Sequence, residues 1–210
     1  MNINTGKQVT PTPFLKVYVN EVEASVSLDG IFPEQRCQEI EATKNIETKK
    51  HKLSAWRLFM RAVCDLGIDI KDINVHKTEF GKWVCDGFYF SISHSKNLVC
   101  VAVSSSNVGV DIQSKEKDYG DVFAKRILTP RELSEYMALD IDKKARFIDI
   151  AWCKKESIMK SLNINAFYPS SIEIKDYELY FMTMNYKEDL YFLSVCSPIA
   201  DTVEVIDLKK

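Results

Sequence analysis

The chain has 210 residues, 46% of them apolar and 28% charged, with a formal net charge of −2. This is the profile of a globular protein of one or two domains with ample material for a core. The charge balance excludes a general nucleic-acid binder, which would be strongly basic, and no apolar run approaches the roughly 18 residues of a membrane span.

Residues 1–10 lack the apolar core of a signal peptide. The six cysteines contain no CxxC pair, which argues against zinc and for buried free thiols in a reducing cytosol. Phe14 to Val19 alternates as a first strand. Asp29-Gly30 marks a turn, and Pro33 suits the first turn of a helix through Ile40. A longer helix is expected from about Glu47 to Leu66, closed by Gly67. β-like runs follow at Ile73 to Phe80, Tyr89 to Ser93 and Leu98 to Val103, broken at Gly81-Lys82 and Ser95-Lys96-Asn97.

Ser104-Ser105-Ser106-Asn107 is the best boundary, dividing the chain into residues 1–105 and 106–210. Val108 to Ile112 reads as a strand. Thr129-Pro130-Arg131-Glu132 then starts a long helix through Trp152, with threonine as cap and glutamate reaching back. Short strands are expected near Ile172 to Ile174, Leu179 to Met184, Tyr191 to Val195 and Val203 to Leu208. The fold class is therefore α+β: two subdomains, each with a small, mostly antiparallel sheet packed on helices.

Three stretches could carry chemistry. In Ala151 to Leu162, Trp152, Glu156 and Lys160 recur at i, i+4 and i+8 on one helical stripe, with Phe147, Ala151, Ile158 and Leu162 at core spacing. Alone, Glu156 and Lys160 read more readily as a surface pair. In Val108 to Gln113, Gly109, Asp111 and Gln113 share the face opposite Val108, Val110 and Ile112. Gly109 marks a place where a backbone or ligand can approach closely. Asp111 with Glu156 supplies the one or two carboxylates that commonly hold Mg²⁺ beside substrate phosphates. In Tyr89 to Ser95, hydroxyls surround His94, a turn that can bind anions or simply satisfy itself.

SISHS, VGVDIQ and WCKKESIMK, in this order and spacing, resemble the 4′-phosphopantetheinyl transferases of the surfactin-synthetase type. The likeness covers roughly Phe32 to the end and is sharp from Gly81 to Leu162. It implies transfer of the phosphopantetheine arm of coenzyme A to a serine of an acyl or peptidyl carrier protein, with release of adenosine 3′,5′-bisphosphate. By motif, Asp111, Glu156 and Gln113 would hold Mg²⁺, Glu156 would activate the carrier serine, and Lys160 would hold the leaving phosphate. Ser93, His94, Lys82, Lys155 and Lys52 would contact coenzyme A, with His94 and Lys52 near its 3′-phosphate.

The chain departs from the family pattern in three places. Gln113 stands where many members carry glutamate, and Gly81-Lys82-Trp83 replaces Gly-Lys-Pro. Gln35 and Gln38 replace two lysines expected near the 3′-phosphate, with Arg36 between them as candidate substitute. Both sides of the site lie in one chain, so a monomer suffices. Lys115, Lys117, Lys125 and Arg126 form either a basic surface for an acidic carrier helix or a solvated charged face. The departures leave two rivals: a homologue that only binds coenzyme A or protein, and a Mg²⁺-dependent pyrophosphate hydrolase.

Overall fold

Strand β1 (Leu15–Glu21) is buried on both sides because its alternation serves two cores. Leu15, Val17 and Val19 face one apolar cluster and Tyr18 the other. The computed structural model describes residues 12–79, 81–115, 119–163 and 168–209. After β1 come helices α1 (Glu34–Glu41) and α2 (Ile46–Asp65), then the short strands β2 (Val75–Lys77) and β3 (Trp83–Cys85). Strands β4 (Tyr89–Ser95), β5 (Leu98–Ser104) and β6 (Gly109–Ser114) lead to helices α3 (Gly120–Ile127), α4 (Pro130–Met137) and α5 (Ile141–Leu162). Strands β7 (Leu179–Tyr186), β8 (Asp189–Cys196) and β9 (Glu204–Asp207) complete the chain.

The architecture is α+β. One sheet has the order β4-β5-β1-β9, a second β6-β8-β7, and β2 pairs with β3 alone. All pairings are antiparallel except that of β1 with β9. That parallel pairing carries residues 204–207 out of the expected C-terminal half and onto the first sheet. Helix α2 covers the first sheet through Leu53, Trp56, Phe59 and Val63. The opposite face of that sheet meets β6 and β8 in a second core containing Leu98, Cys100, Val110, Ile112 and Leu193.

The two sheets meet at β4 and β6 without backbone pairing between those strands. Serine hydroxyls take its place. The Val110 N–H donates to Ser91 Oγ at 3.0 Å, the Ile112 N–H to Ser93 Oγ at 3.3 Å, and the Ser114 N–H to Ser95 Oγ at 2.9 Å. On the other face of β6, helix α5 lies directly over Gly109. A Cβ there would stand 2.0 Å from Ser157 O and 2.4 Å from Ser161 N. The close approach inferred at Gly109 is thus made by the backbone of α5.

Several elements differ from the sequence expectations. The helix expected through Trp152 is interrupted between Met137 and Ile141, giving α4 and α5. The capping box at Thr129 and Glu132 is present. Helix α3 was not expected, and residues 172–174 lie around two 3₁₀ turns rather than in a strand. The run from Ile73 contributes only Val75–Lys77, and Phe80 lies outside the described residues. Leu162 is exposed rather than core-facing. The six cysteines are free, with Cys100, Cys153 and Cys196 buried. No helix among the described residues is long and apolar enough to cross a membrane.

Gly109→Ala should cost about 3 kcal/mol or more, the upper range for forced overpacking, because the added methyl meets helix backbone and not a flexible side chain. Denaturant unfolding checks this; a loss below about 1 kcal/mol would show that α5 can lift away freely.

Candidate active site

The hydroxyl ladder and the glycine contact together bring residues from β4, β6 and α5 to one point. Asp111 is buried in the middle of β6. Its Oδ1 accepts from Ser93 Oγ at 2.7 Å and from Lys160 Nζ at 2.7 Å. Lys160 Nζ also donates to Ser93 Oγ at 3.0 Å. Ser93 is therefore saturated: its single proton goes to Asp111, and its two lone pairs accept from Lys160 and the Ile112 N–H. Ser93, expected at the coenzyme A site, has its hydroxyl committed to these three partners. It positions Asp111 and Lys160.

Glu156 lies one turn before Lys160 on the same stripe of α5, half-buried. Burial raises its pKa above the usual carboxylate range; Lys160 opposes that rise and the Asp111 charge adds to it. Burial works to lower the Lys160 pKa, but the charge and hydrogen bond of Asp111 outweigh it, so the ammonium is held above its ordinary value. Asp111 Oδ2 is buried and accepts no hydrogen bond among the described residues. Two carboxylates that repel each other, one with an orphaned oxygen, suit a small divalent cation taking its other oxygens from phosphate and water. No group of three or more His, Cys, Asp or Glu side chains forms a metal cluster among the described residues. Gln113 follows Asp111 on β6, half-exposed, its amide N–H reaching Ser114 O at 3.4 Å.

These groups open into a cavity of about 410 Å³ lined by Lys160, Glu156, Ser91, Lys82, Trp83 and Arg36, among others. Lys82 follows Gly81, whose φ of +82° lets the β2–β3 turn close. Its ammonium donates to Lys160 O at 2.9 Å, tying that turn to the end of α5. Burial lowers the Lys82 pKa. Gly-Lys-Trp therefore keeps a tight turn, and Trp83 is folded inward. His94 stacks on His51 with ring centroids 4.5 Å apart, and His51 Nε2 lies 2.6 Å from Lys96 O.

A model of the 4′-phosphopantetheinyl transferase superfamily matches residues 107–190, the segment that carries Asp111, Glu156 and Lys160. The chain is 29% identical over 160 residues to a 4′-phosphopantetheinyl transferase of Bacillus subtilis, covering 68% of this chain and 71% of the relative. It is 34% identical over 59 residues to a holo-[acyl-carrier-protein] synthase of Mycoplasma genitalium. A synthase of the same name from Lactobacillus johnsonii is 35% identical over 60 residues. The aligned parts span about half the length of each synthase, 52% and 50%. The chain is thus similar to the 4′-phosphopantetheinyl transferases, most directly over the segment that carries Asp111, Glu156 and Lys160.

Among the residues that the sequence placed in the site, the most instructive departure from expectation is Lys155. It is fully buried, and its ammonium bonds Ile127 O at 2.8 Å, Pro169 O at 2.9 Å and Glu132 Oε2 at 2.6 Å. It is a structural anchor between α4 and α5, and the expected coenzyme A contact is corrected: one residue before Glu156 points α5 inward. Lys52 also stands apart from Asp111, held by Thr43 Oγ1 at 3.2 Å and Glu39 Oε1 at 3.6 Å. Gln35 and Gln38 are exposed on α1, while Arg36 between them is buried. Of the basic surface residues, Lys115, Lys125 and Arg126 are exposed, and Lys117 lies outside the described residues.

Sequence reasoning missed Glu39, Ser91 as a rung of the ladder, and the apolar wall of Trp56 and Met159 in the cavity. The strand alternation of Ser91, Ser93 and Ser95 was the available signal for the ladder.

Two outcomes are expected. Lys155→Ala should destabilise the protein by about 3–5 kcal/mol, the cost of breaking a buried pair and leaving the Glu132 charge uncompensated; unchanged unfolding would refute the anchor. His94 keeps an exposed edge, yet desolvation of its packed face first, then His51 and Lys160, pull its pKa down to about 4 from 6.5, against the weaker pull of Asp111. The unfolded chain takes this proton first, so the site costs stability as pH falls from 6.5 to 4 and nothing above. An NMR titration of the free protein should find the His94 midpoint near 4, and a midpoint at 6 or above would contradict it.

Proposed function

We propose that this protein transfers the 4′-phosphopantetheine arm of coenzyme A to a serine of an acyl or peptidyl carrier protein. Adenosine 3′,5′-bisphosphate is the leaving group, and the chain acts as a monomer of the surfactin-synthetase type. The observation that supports this reading is the group of buried Asp111 with half-buried Glu156 and Lys160, the latter two lining the cavity, with Asp111 Oδ2 unpartnered.

Asp111 and Glu156, with the Gln113 amide beside them, would hold Mg²⁺. Bound there, the ion would neutralise charge on the pyrophosphate. The chain's own residues supply the rest. Lys160 has three N–H donors; two are used on Asp111 and Ser93, leaving one for a phosphate oxygen of the leaving group. Its raised pKa keeps it charged at neutral pH. Glu156, its basicity increased by burial, would take the proton of the carrier serine as that oxygen attacks phosphorus. Phosphoryl transfer depends mainly on such positioning and charge stabilisation. Lys82 and His94 line the approach to the nucleotide. The exposed Lys115, Lys125 and Arg126 offer positive charge to an acidic carrier helix.

Incubation with coenzyme A, Mg²⁺ and an apo carrier protein should add one phosphopantetheine to the carrier by mass. Adenosine bisphosphate without carrier modification would instead indicate hydrolysis, and no turnover a binding protein. Lys160→Ala should lower turnover roughly 10²–10³-fold, the usual loss of one preorganised charge-stabilising donor. A loss below about fivefold would remove Lys160 from this role.

A further inference from the structure

Arg36 and Trp83, which line the cavity, are both bonded to one carboxylate behind them. Glu39 on α1 accepts from three donors, Arg36 Nη1 at 3.1 Å on Oε1, and Trp83 Nε1 at 2.9 Å and Lys77 Nζ at 3.2 Å on Oε2, while Lys52 Nζ adds an ion pair to Oε1 at 3.6 Å. Burial pushes the Glu39 pKa up, but these partners overwhelm it and bring the value down to about 2. Arg36 is 7% exposed, stacked over Trp56 with its guanidinium carbon 4.6 Å from the ring centroid, and its Nε has no partner among the described residues.

Three cations and an indole N–H converging on an oxyanion form the arrangement expected around a phosphate. Here the chain fills it with its own acid. We infer that Glu39 is a specificity-determining residue: it occupies the cation nest that would otherwise read the 3′-phosphate of coenzyme A. The protein therefore uses donors with and without that phosphate nearly alike. The inference rests on the transferase reading above, in which Lys52 stands near the 3′-phosphate.

The reason is competitive. A phosphate arriving at Lys52 and Arg36 must displace a carboxylate already paired with both and then sit beside its negative charge. Like charges placed together are a common device for rejecting a ligand. The nest keeps a surplus of positive charge, three cations to one acid, so discrimination is erased and not reversed. With a donor lacking the 3′-phosphate, the chemistry balances unchanged. The carrier serine oxygen bonds the pantetheine-side phosphorus, the pyrophosphate P–O bond breaks, the serine proton goes to Glu156, and adenosine 5′-monophosphate leaves.

Two measurements test this. The first is the ratio of kcat/KM for coenzyme A over 3′-dephospho-coenzyme A, with Mg²⁺ and one apo carrier protein. It should lie below about tenfold in the natural protein and rise at least about fivefold in Glu39→Gln. A wild-type ratio above tenfold, or a folded Glu39→Gln variant with an unchanged ratio, overturns the inference.

The second needs no turnover: calorimetry of adenosine 3′,5′-bisphosphate against adenosine 5′-monophosphate on the same protein. Affinities within about tenfold support the inference, and a larger preference for the bisphosphate overturns it. Transfer from neither donor would fail the functional reading by itself, with the calorimetric comparison still deciding the role of Glu39.

Discussion

Three serine hydroxyls join the edges of the two larger sheets of this protein, beside the apolar core that packs them together. Strand β6 runs beside β4, yet its amides at Val110, Ile112 and Ser114 find side-chain oxygens there instead of carbonyls. A buried N–H without a partner costs about 1–3 kcal/mol, a penalty that the ladder removes at each rung. A hydroxyl can do what a carbonyl cannot, because it also donates. Ser93 uses that second capacity to bond Asp111, and Ser95 Oγ reaches Ser114 Oγ at 3.1 Å. The contact that joins the halves therefore also aims the acid at the site's centre.

On the other side of β6, the fold removes bulk so that α5 can approach. Gly109 presents no Cβ where the helix backbone passes, and Ser157 Oγ meets Ser194 Oγ at 2.9 Å across the same interface. Below the helix, Lys155 is bonded to α4 and to loop carbonyls. Above it, Lys82 holds the Lys160 carbonyl. Fixed from three directions, α5 presents Glu156 and Lys160 with little freedom left to lose on binding, which is what preorganised electrostatic stabilisation requires.

The sequence disclosed what depends on periodicity. The stripe of Trp152, Glu156 and Lys160, the alternation around Asp111 and the capping box at Thr129 all involve residues within a few positions of each other. What it concealed depends on partners far away along the chain. Ser91 and Val110 are 19 positions apart, Glu39 and Trp83 are 44, and Lys155 and Ile127 are 28. Lys155 looked like its neighbour Lys160 because both are lysines on one helix. Only the position of α4 makes one an internal strut and leaves the other in the cleft. The strand expected at residues 172–174 failed for a similar reason: Ile172 and Ile174 are apolar because they cap the α5 core, not because they pair.

The two acids beside the cavity handle charge in opposite ways. Near Asp111 an acid is only half satisfied: Oδ1 is held by Lys160 and Ser93, and Oδ2 is left bare in a buried setting. Near Glu39 an acid is partnered on both oxygens, by Arg36 with Lys52 farther off on one and by Trp83 with Lys77 on the other. A buried unpartnered oxygen is an unstable arrangement unless something is to arrive there, whereas a saturated carboxylate resists exchange. The Asp111 side thus keeps an unused acceptor, while Trp56 and Trp83 give the cavity an apolar, aromatic wall.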